Sequence, residues 1–262
     1  MLPLRHAIAL GALQGPAELM PVSSSGHVAL VPALLGWPYG RLDPELRKAF
    51  EVALHAGTAA ALLWALRDEV RAEVRELSLR RLGHAALEFA PAAAVGLAFE
   101  RPIERRLGTV RSVAAAQVAA GALLWLADRA PARRRRAGAT ALDHLAIGLG
   151  QAAALVPGVS RNGATLTAAR LRGFARADAN RLSRRAALPV IVGASALKGV
   201  RLARRGVPRE LAAPFAAGAA AAFCSTLASA RLVRAIDGMR SYAPFAAYRV
   251  ALGALALARR GV

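Results

Sequence analysis

The sequence predicts an all-α polytopic membrane protein made of two inverted-topology repeats. Each repeat is a re-entrant broken helix pair followed by three transmembrane helices. Three observations carry that prediction. The first is an unusual pairing of apolarity and charge. Of 262 residues, 56% are hydrophobic, yet 36 are Lys or Arg against 16 Asp or Glu, a formal charge of +20; mean hydropathy is +0.36. Disorder is excluded, because a disordered chain needs low hydrophobicity as well as high charge. A soluble nucleic-acid binder would explain the charge but not the apolar excess. The single cysteine, Cys224, excludes a disulfide framework and a cysteine-based zinc site. A polytopic membrane protein explains both features if the charges lie between apolar stretches.

The second observation is that they do. No Asp, Glu, Lys or Arg occurs in 19–40, 52–66, 89–99, 112–127, 144–160, 186–197, 211–230 or 241–248. Between these runs lie basic knots at Arg67–Arg81, Arg101–Arg111, Arg133–Arg136, Arg170–Arg185 and Arg201–Arg209, which read as solvated loops or lipid-headgroup contacts. A spanning helix wants roughly 20 apolar residues. Only 19–40 and 211–230 reach that without a charge, and 19–40 carries Pro21, Pro32 and Pro38. Short apolar segments broken by Gly and Pro suggest re-entrant pairs whose backbone is shielded by protein. Residues 1–20 hold Arg5 and a short apolar region, but Gln14 and Glu18 follow too soon for a signal peptide, so the segment reads as mature structure.

The third observation is an internal repeat. A shift of 137 residues lays Gly11 on Gly148, Gln14 on Gln151, Ser23 on Ser160 and Gly26 on Gly163. A shift of 132 lays Val118, Gly121, Ala122 and Leu123 on Val250, Gly253, Ala254 and Leu255. The first half then reads as a broken pair over about 4–37 and spans near 49–66, 85–99 and 113–128. The second reads as a broken pair over about 144–174 and spans near 184–200, 211–233 and 244–258. A re-entrant pair returns to its starting side and three spans cross an odd number of times. The second half therefore starts on the opposite face, within one membrane domain over 1–262 whose repeats cover about 1–130 and 138–262. The side carrying the termini holds 15 cations and the other 19, which places the second side in the cytoplasm and the termini outside.

Ionisable groups inside apolar segments are costly and so are functional candidates. The first broken segment holds Gln14, Glu18, Ser23, Ser24, Ser25 and His27. A helix presents Gln14 and Glu18 on one face, where two side-chain oxygens suit a hard cation such as Mg²⁺ or Ca²⁺. Pro21 ends that helix and Gly26 permits a sharp turn. The serines can cap a half-helix whose free N–H groups attract an anion. His27 can act as general base or itself attack phosphorus. The second broken segment holds Ser160, Arg161, Asn162 and Thr165, with Arg161 the one charge between Asp143 and Arg170. Its guanidinium matches phosphate oxygens in a bidentate fork. This set of groups suits metal-assisted phosphoryl transfer. Glu51 and His55 form a second ionisable pair inside a span, either lining the same pocket or tying helices together.

Two motifs carry a family resemblance: Gln14-x-x-x-Glu18 followed by Pro21-Val-Ser-Ser-Ser-Gly-His27, and Pro157-Gly-x-Ser-Arg-x-Gly-Ala-Thr165. The chain resembles, nearly end to end, the bacterial undecaprenyl-diphosphate phosphatase (bacitracin-resistance protein) family. Phe50-Glu-Val through Gly57-Thr58, Ala187-Leu-Pro-Val through Lys198, and Pro244-Phe-Ala-Ala-Tyr-Arg249 also resemble family segments. The resemblance implies removal of one phosphate from undecaprenyl diphosphate to regenerate the lipid carrier of cell-wall precursors, and bacitracin resistance. It further implies dependence on Mg²⁺ or Ca²⁺, a bacterial plasma-membrane location, and a pocket open to the outer side. Carried over residue by residue, Gln14 and Glu18 match the acidic motif, His27 the histidine, Ser23 and Ser24 the serine pair, and Ser160, Arg161 and Thr165 the phosphate-binding turn. The chain departs from the common pattern at Gln14 (often Glu), Ser25 (commonly Thr), Asn162 (usually Ser) and His55 (often Gln).

The mechanism read at this level has a cation on Glu18 and Gln14, phosphates held by Arg161 with Ser23, Ser160, Asn162 and Thr165, and a nucleophile that is Ser24 activated by His27 or His27 itself. The partners are a polyprenyl diphosphate lipid and the bilayer, with no nucleic acid. A transporter or flippase of polyprenyl phosphates is the alternative, because facing broken segments are also a transporter architecture; a nucleic-acid-binding helical bundle ranks third.

Overall fold

The computed structural model describes residues 2–206 and 208–259, which are helical apart from turns and one isolated bridge between Arg134 and Phe174. The helices are α1 (Leu4–Leu19), α2 (Ser24–Leu35), α3 (Pro44–Ala65), α4 (Arg67–Arg75), α5 (Leu79–Leu107), α6 (Val110–Asp128), α7 (Ala141–Ala153), α8 (Arg161–Leu171), α9 (Arg176–Arg205), α10 (Arg209–Asp237) and α11 (Ala243–Ala258). Short 3-10 turns cover Pro38–Arg41 and Arg136–Gly138. The side chains of Lys198, Arg201, Arg204, Arg205 and Arg234, and all of Arg260, which entered the charge count, lie outside the described residues.

Local chemistry sets the helix starts. Asp43 Oδ1 accepts the amides of Glu45 and Leu46 at 2.9 and 3.4 Å, with Pro44 next in line, which satisfies donors that the first turn leaves open. Ser78 and Thr109 do the same for α5 and α6. The charge-rich stretch after 66, read from sequence as a loop, contains α4, a short helix bearing the Asp68–Arg71 pair at 3.2 Å. Helices also outrun the charge-free runs: α5 has 29 residues, about 43 Å at 1.5 Å per residue. Charged ends lengthen the helices because their long side chains reach past the apolar layer.

Among the described residues, three helices are long and apolar enough to cross a membrane: Leu79–Leu107, Val110–Asp128 and Arg209–Arg231. The outer faces of α5 and α6 are apolar and open, with Leu97 81%, Phe99 55% and Leu126 55% exposed. Such surface is a liability in water and ordinary against lipid, so the soluble-bundle reading fails and the protein is a membrane protein.

The basic knots are less solvated than the sequence suggests. Asp128 takes Arg176 Nε at 2.6 Å, the Tyr242 amide at 2.9 Å and Ser241 Oγ at 2.8 Å. Arg170, 1% exposed, donates to the carbonyls of Phe174, Asp128 and Ala130. Asp143 accepts Arg134, Arg172 Nε, and the amide and hydroxyl of Thr140. Burial pushes the Asp143 carboxyl up, but these donors outweigh it and hold it well below the usual carboxylate range.

Close helix approaches recur at matching positions. A Cβ on Gly11 would sit 2.3 Å from the Gly218 carbonyl oxygen of α10, and one on Gly148 would sit 2.2 Å from the Leu87 carbonyl oxygen of α5. These glycines are 137 residues apart; α1 packs on α10 as α7 packs on α5, and α6 packs on α11.

Candidate active site

Two chain breaks build the site. After α1, Met20 is extended and Pro21 cannot continue the helix. The sharp turn falls on Ser23, at φ 73°, and not on Gly26 as expected from sequence. Ser23 Oγ accepts the Gly26 amide at 3.1 Å and starts α2; Gly26 instead makes room for Gln117, whose amide would lie 3.2 Å from an added Cβ. Ser160, at φ 71°, repeats the arrangement and accepts the Gly163 amide at 3.1 Å at the start of α8. Left-handed backbone in a non-glycine residue is uncommon and strained. Here the same residue type carries it twice, each time capping a half-helix whose remaining N–H groups are free for an anion.

Buried polar side chains fasten the two turns. Arg249 on α11, 0% exposed, donates to the carbonyls of Gly158 at 3.0 Å, Val159 at 2.7 Å and Pro21 at 3.4 Å. Gln117 on α6 donates to the Val22 carbonyl at 2.7 Å. Gln117 and Arg249 are 132 residues apart, and Val22 and Val159 are 137 apart, the same two shifts seen in the sequence. Asn162 Nδ2 donates to the Leu19 carbonyl at 2.9 Å, and the Gly158 amide reaches Ser25 Oγ at 3.4 Å.

Glu18 lies at the junction. Its Oε1 accepts Arg161 Nη2 at 3.1 Å; its Oε2 accepts Ser24 Oγ at 2.7 Å and Gln14 Nε2 at 3.4 Å, with His55 Nε2 at 3.7 Å. A cavity of about 460 Å³ opens beside it. Of the residues singled out from sequence, Glu18, Ser23, Ser24, Ser25, Ser160, Arg161, Asn162, Glu51 and His55 line it. Gln14, His27 and Thr165 are buried and are not among its lining residues. Thr165 Oγ1 turns back to the carbonyls of Arg161 and Asn162 and meets Ser183 Oγ at 2.6 Å, while Ser183 donates to Asn162 Oδ1 at 3.0 Å. Its contacts therefore brace the turn from behind.

The pairing of Ser24 with His27 expected from sequence is not the one formed. Ser24 donates to Glu18. His27 Nδ1 donates to the Ser23 carbonyl at 2.7 Å, so its Nε2 accepts the Tyr248 hydroxyl, 2.6 Å away, with the two rings stacked. Tyr248, Arg249 and Gln117 received no role from sequence. Arg249 could have been found as a lone cation in an apolar run, and Tyr248 only through its neighbour.

Among the described residues no group of three or more His, Cys, Asp or Glu could hold a metal by itself. Gln14 Oε1 is buried and has no hydrogen-bond partner. One carboxylate and one spare amide oxygen on the same helix face fit a hard cation that takes its other ligands from phosphate oxygens and water.

The sequence profile of the bacitracin resistance protein BacA family matches residues 7–255. The chain is 40% identical to an undecaprenyl-diphosphatase of Geobacter sulfurreducens, covering 97% of each chain. It is 37% identical to one of Thermomicrobium roseum, covering 96% of each, and 35% identical to one of Campylobacter curvus, covering 96% of this chain and 97% of the relative. With the family match running over residues 7–255 and these relatives covered nearly end to end, the chain belongs to the bacitracin resistance protein BacA family.

Proposed function

We propose that the protein is an integral membrane phosphatase that hydrolyses undecaprenyl diphosphate to undecaprenyl phosphate and inorganic phosphate, recycling the lipid carrier of cell-wall synthesis. The observation that carries this reading is the Ser24–Glu18–Arg161 chain, hydroxyl to carboxylate to guanidinium, at the meeting point of two capped half-helices. One nitrogen of Arg161 is held by Glu18, and the rest of its fork is available to phosphate oxygens. Ser24 is the nucleophile. Its Oγ bonds to the terminal phosphorus as the bridging P–O bond breaks, the lipid leaves as the monophosphate, and the Ser24 proton passes to Glu18. Water then attacks the phosphoserine, phosphate departs, and the proton returns to Ser24. The free amides of α2 and α8 face the charge that develops on the equatorial oxygens. When bound, a divalent cation, Mg²⁺ or Ca²⁺, would sit on Gln14 and Glu18 and neutralise diphosphate charge. His27 and Tyr248 hold the turn that aims Ser24.

The same reading takes the fold as one membrane domain of two inverted repeats, with α1–α2 and α7–α8 re-entrant, in the bacterial plasma membrane. Support comes from the two sequence shifts reproduced in Gly11 and Gly148 and in Gln117 and Arg249. The cavity reaches Arg47, Lys48, Glu104 and Gly108, near the loops that the charge count puts outside, so we take the pocket to open outward.

The test is phosphate release by detergent-purified protein from undecaprenyl diphosphate, with and without EDTA. Ser24→Ala and Arg161→Ala should each lose nearly all release while remaining folded, and EDTA should abolish it until Mg²⁺ or Ca²⁺ is restored. Full activity in both variants would sink the proposal.

A further inference from the structure

A second polar cavity, of about 500 Å³, lies at the other end of α5. It is lined by residues 76–84, whereas the first cavity involves Glu104 and Gly108. Along α5, His84 of this cavity lies about 12 Å from Ala92, the nearest α5 residue of the first cavity, and about 30 Å from Glu104; no described residue lines both. Four guanidiniums line it: Arg80 and Arg81 from α5, Arg136 from the 3-10 turn before α7, and Arg185 from α9. Glu76 is the one carboxylate of the lining and pairs with Arg81 at 2.5 Å. Two histidines form its inner wall. His144, 3% exposed, meets Glu88 Oε1 at 2.6 Å, and His84 stacks on it with centroids 4.0 Å apart. The buried Glu88–His144 pair is an ionisable pair within apolar segments, which the chemistry of the first cavity does not use. The lining thus presents a strongly cationic concavity made by three separate chain segments, built for an anion.

We propose that this cleft binds the phosphate headgroup of an anionic membrane phospholipid, in the leaflet opposite the first cavity. A lipid fits better than a free anion because of what surrounds the cations. Leu79 is 89% exposed and Leu82 51% exposed on the same turns as Arg80 and Arg81, and Leu77 just before them is 55% exposed. Guanidiniums beside open aliphatic side chains match a headgroup with its acyl chains alongside. Basic pockets between helices on the positive side of a membrane protein recognise anionic headgroups by this chemistry.

The experiment uses the full chain in neutral detergent and in phosphatidylcholine nanodiscs, with thermal unfolding and lipid retention as readouts. The probes are phosphatidylglycerol, phosphatidylcholine and inorganic phosphate at equal concentration. Phosphatidylglycerol should raise the unfolding midpoint of the wild type by several degrees, and the other two should not. Arg80→Gln with Arg136→Gln, both on exposed side chains, should unfold as the wild type does without lipid. Their affinity for phosphatidylglycerol should fall roughly thirtyfold, at about 1 kcal/mol per arginine. If the pair does not fold, Arg80→Gln alone carries the test, with a drop of about fivefold. Equal stabilisation by phosphatidylcholine, stabilisation by inorganic phosphate alone, or unchanged affinity in the variants would each overturn the proposal.

Discussion

Arg249→Met gives a quantitative test of how the two turns are held. The substitution keeps an unbranched side chain and removes every donor. Two firm hydrogen bonds are lost, to Val159 and Gly158 at 2.7 and 3.0 Å, with a third to Pro21 at 3.4 Å that is near its limit. Each carbonyl left buried and unpaired costs about 1–3 kcal/mol. Against that, a wholly buried guanidinium that no carboxylate pairs among the described residues is itself expensive to bury, and removing it recovers part of the loss. The net destabilisation is about 2–4 kcal/mol, or a fall in unfolding midpoint of roughly 4–16 °C for a chain of this size. Gln117→Leu removes one such bond, to Val22 at 2.7 Å, and should cost about half as much. The assay is thermal unfolding in detergent alongside phosphate release. Arg249→Met should also lower kcat at least about tenfold, since an ångström of misplacement in the turns is felt in the rate. A midpoint within a degree of wild type, or a larger loss from Gln117→Leu than from Arg249→Met, would refute the reasoning.

Tyr248→Phe removes only the hydroxyl that His27 Nε2 accepts at 2.6 Å; kcat should fall about tenfold with KM little changed, the rate equivalent of one hydrogen bond of about 1.4 kcal/mol, in steady-state phosphate release. Gly11→Ala puts a Cβ 2.3 Å from the Gly218 carbonyl oxygen and should destabilise by about 1–3 kcal/mol through overpacking, read as a lower unfolding midpoint. Asp143 has a folded pKa below its unfolded value of about 3.9; its contribution is therefore complete above that value and lost as pH falls through it. The Asp143 share of stability should be constant above about pH 5 and decline below about pH 4, and Asp143→Asn should shrink the acid limb in unfolding curves taken across that range.

The parts of the site legible in sequence are those that stand out against an apolar background. Gln14, Glu18, the serine run and Arg161 interrupt charge-free segments, and the same isolation that makes them visible makes them expensive unless they meet. What stayed hidden depends on contacts between distant segments. Tyr248 finds His27 across 221 residues, and nothing in its neighbourhood marks it apart from Arg249. Arg170 reads as one cation in a basic knot yet is buried against backbone carbonyls, because its partners come from the end of α6. The strained turn moved from Gly26 to Ser23 for a related reason. Glycine is the usual residue where φ is positive, but here its missing Cβ is needed for clearance from Gln117. Gln117 and Arg249 occupy matching repeat positions with different chemistry, so residue identity conceals a shared function that geometry exposes.

The two serine turns also explain why strain is kept at this place. A left-handed non-glycine residue costs of order 1–3 kcal/mol, and glycine at Ser23 and Ser160 would relieve it. Glycine would also delete the hydroxyls that accept the Gly26 and Gly163 amides at 3.1 Å, leaving the first turns of α2 and α8 to fray. A β-region cap would keep the hydroxyl but send the preceding chain elsewhere, breaking the reach of Arg249 to Pro21, Gly158 and Val159. A short side chain with an acceptor oxygen at positive φ satisfies both demands. The strain at the turns, the buried guanidinium that holds their carbonyls and the alignment of Ser24 with Glu18 are thus one coupled arrangement, and relaxing any member should move the others.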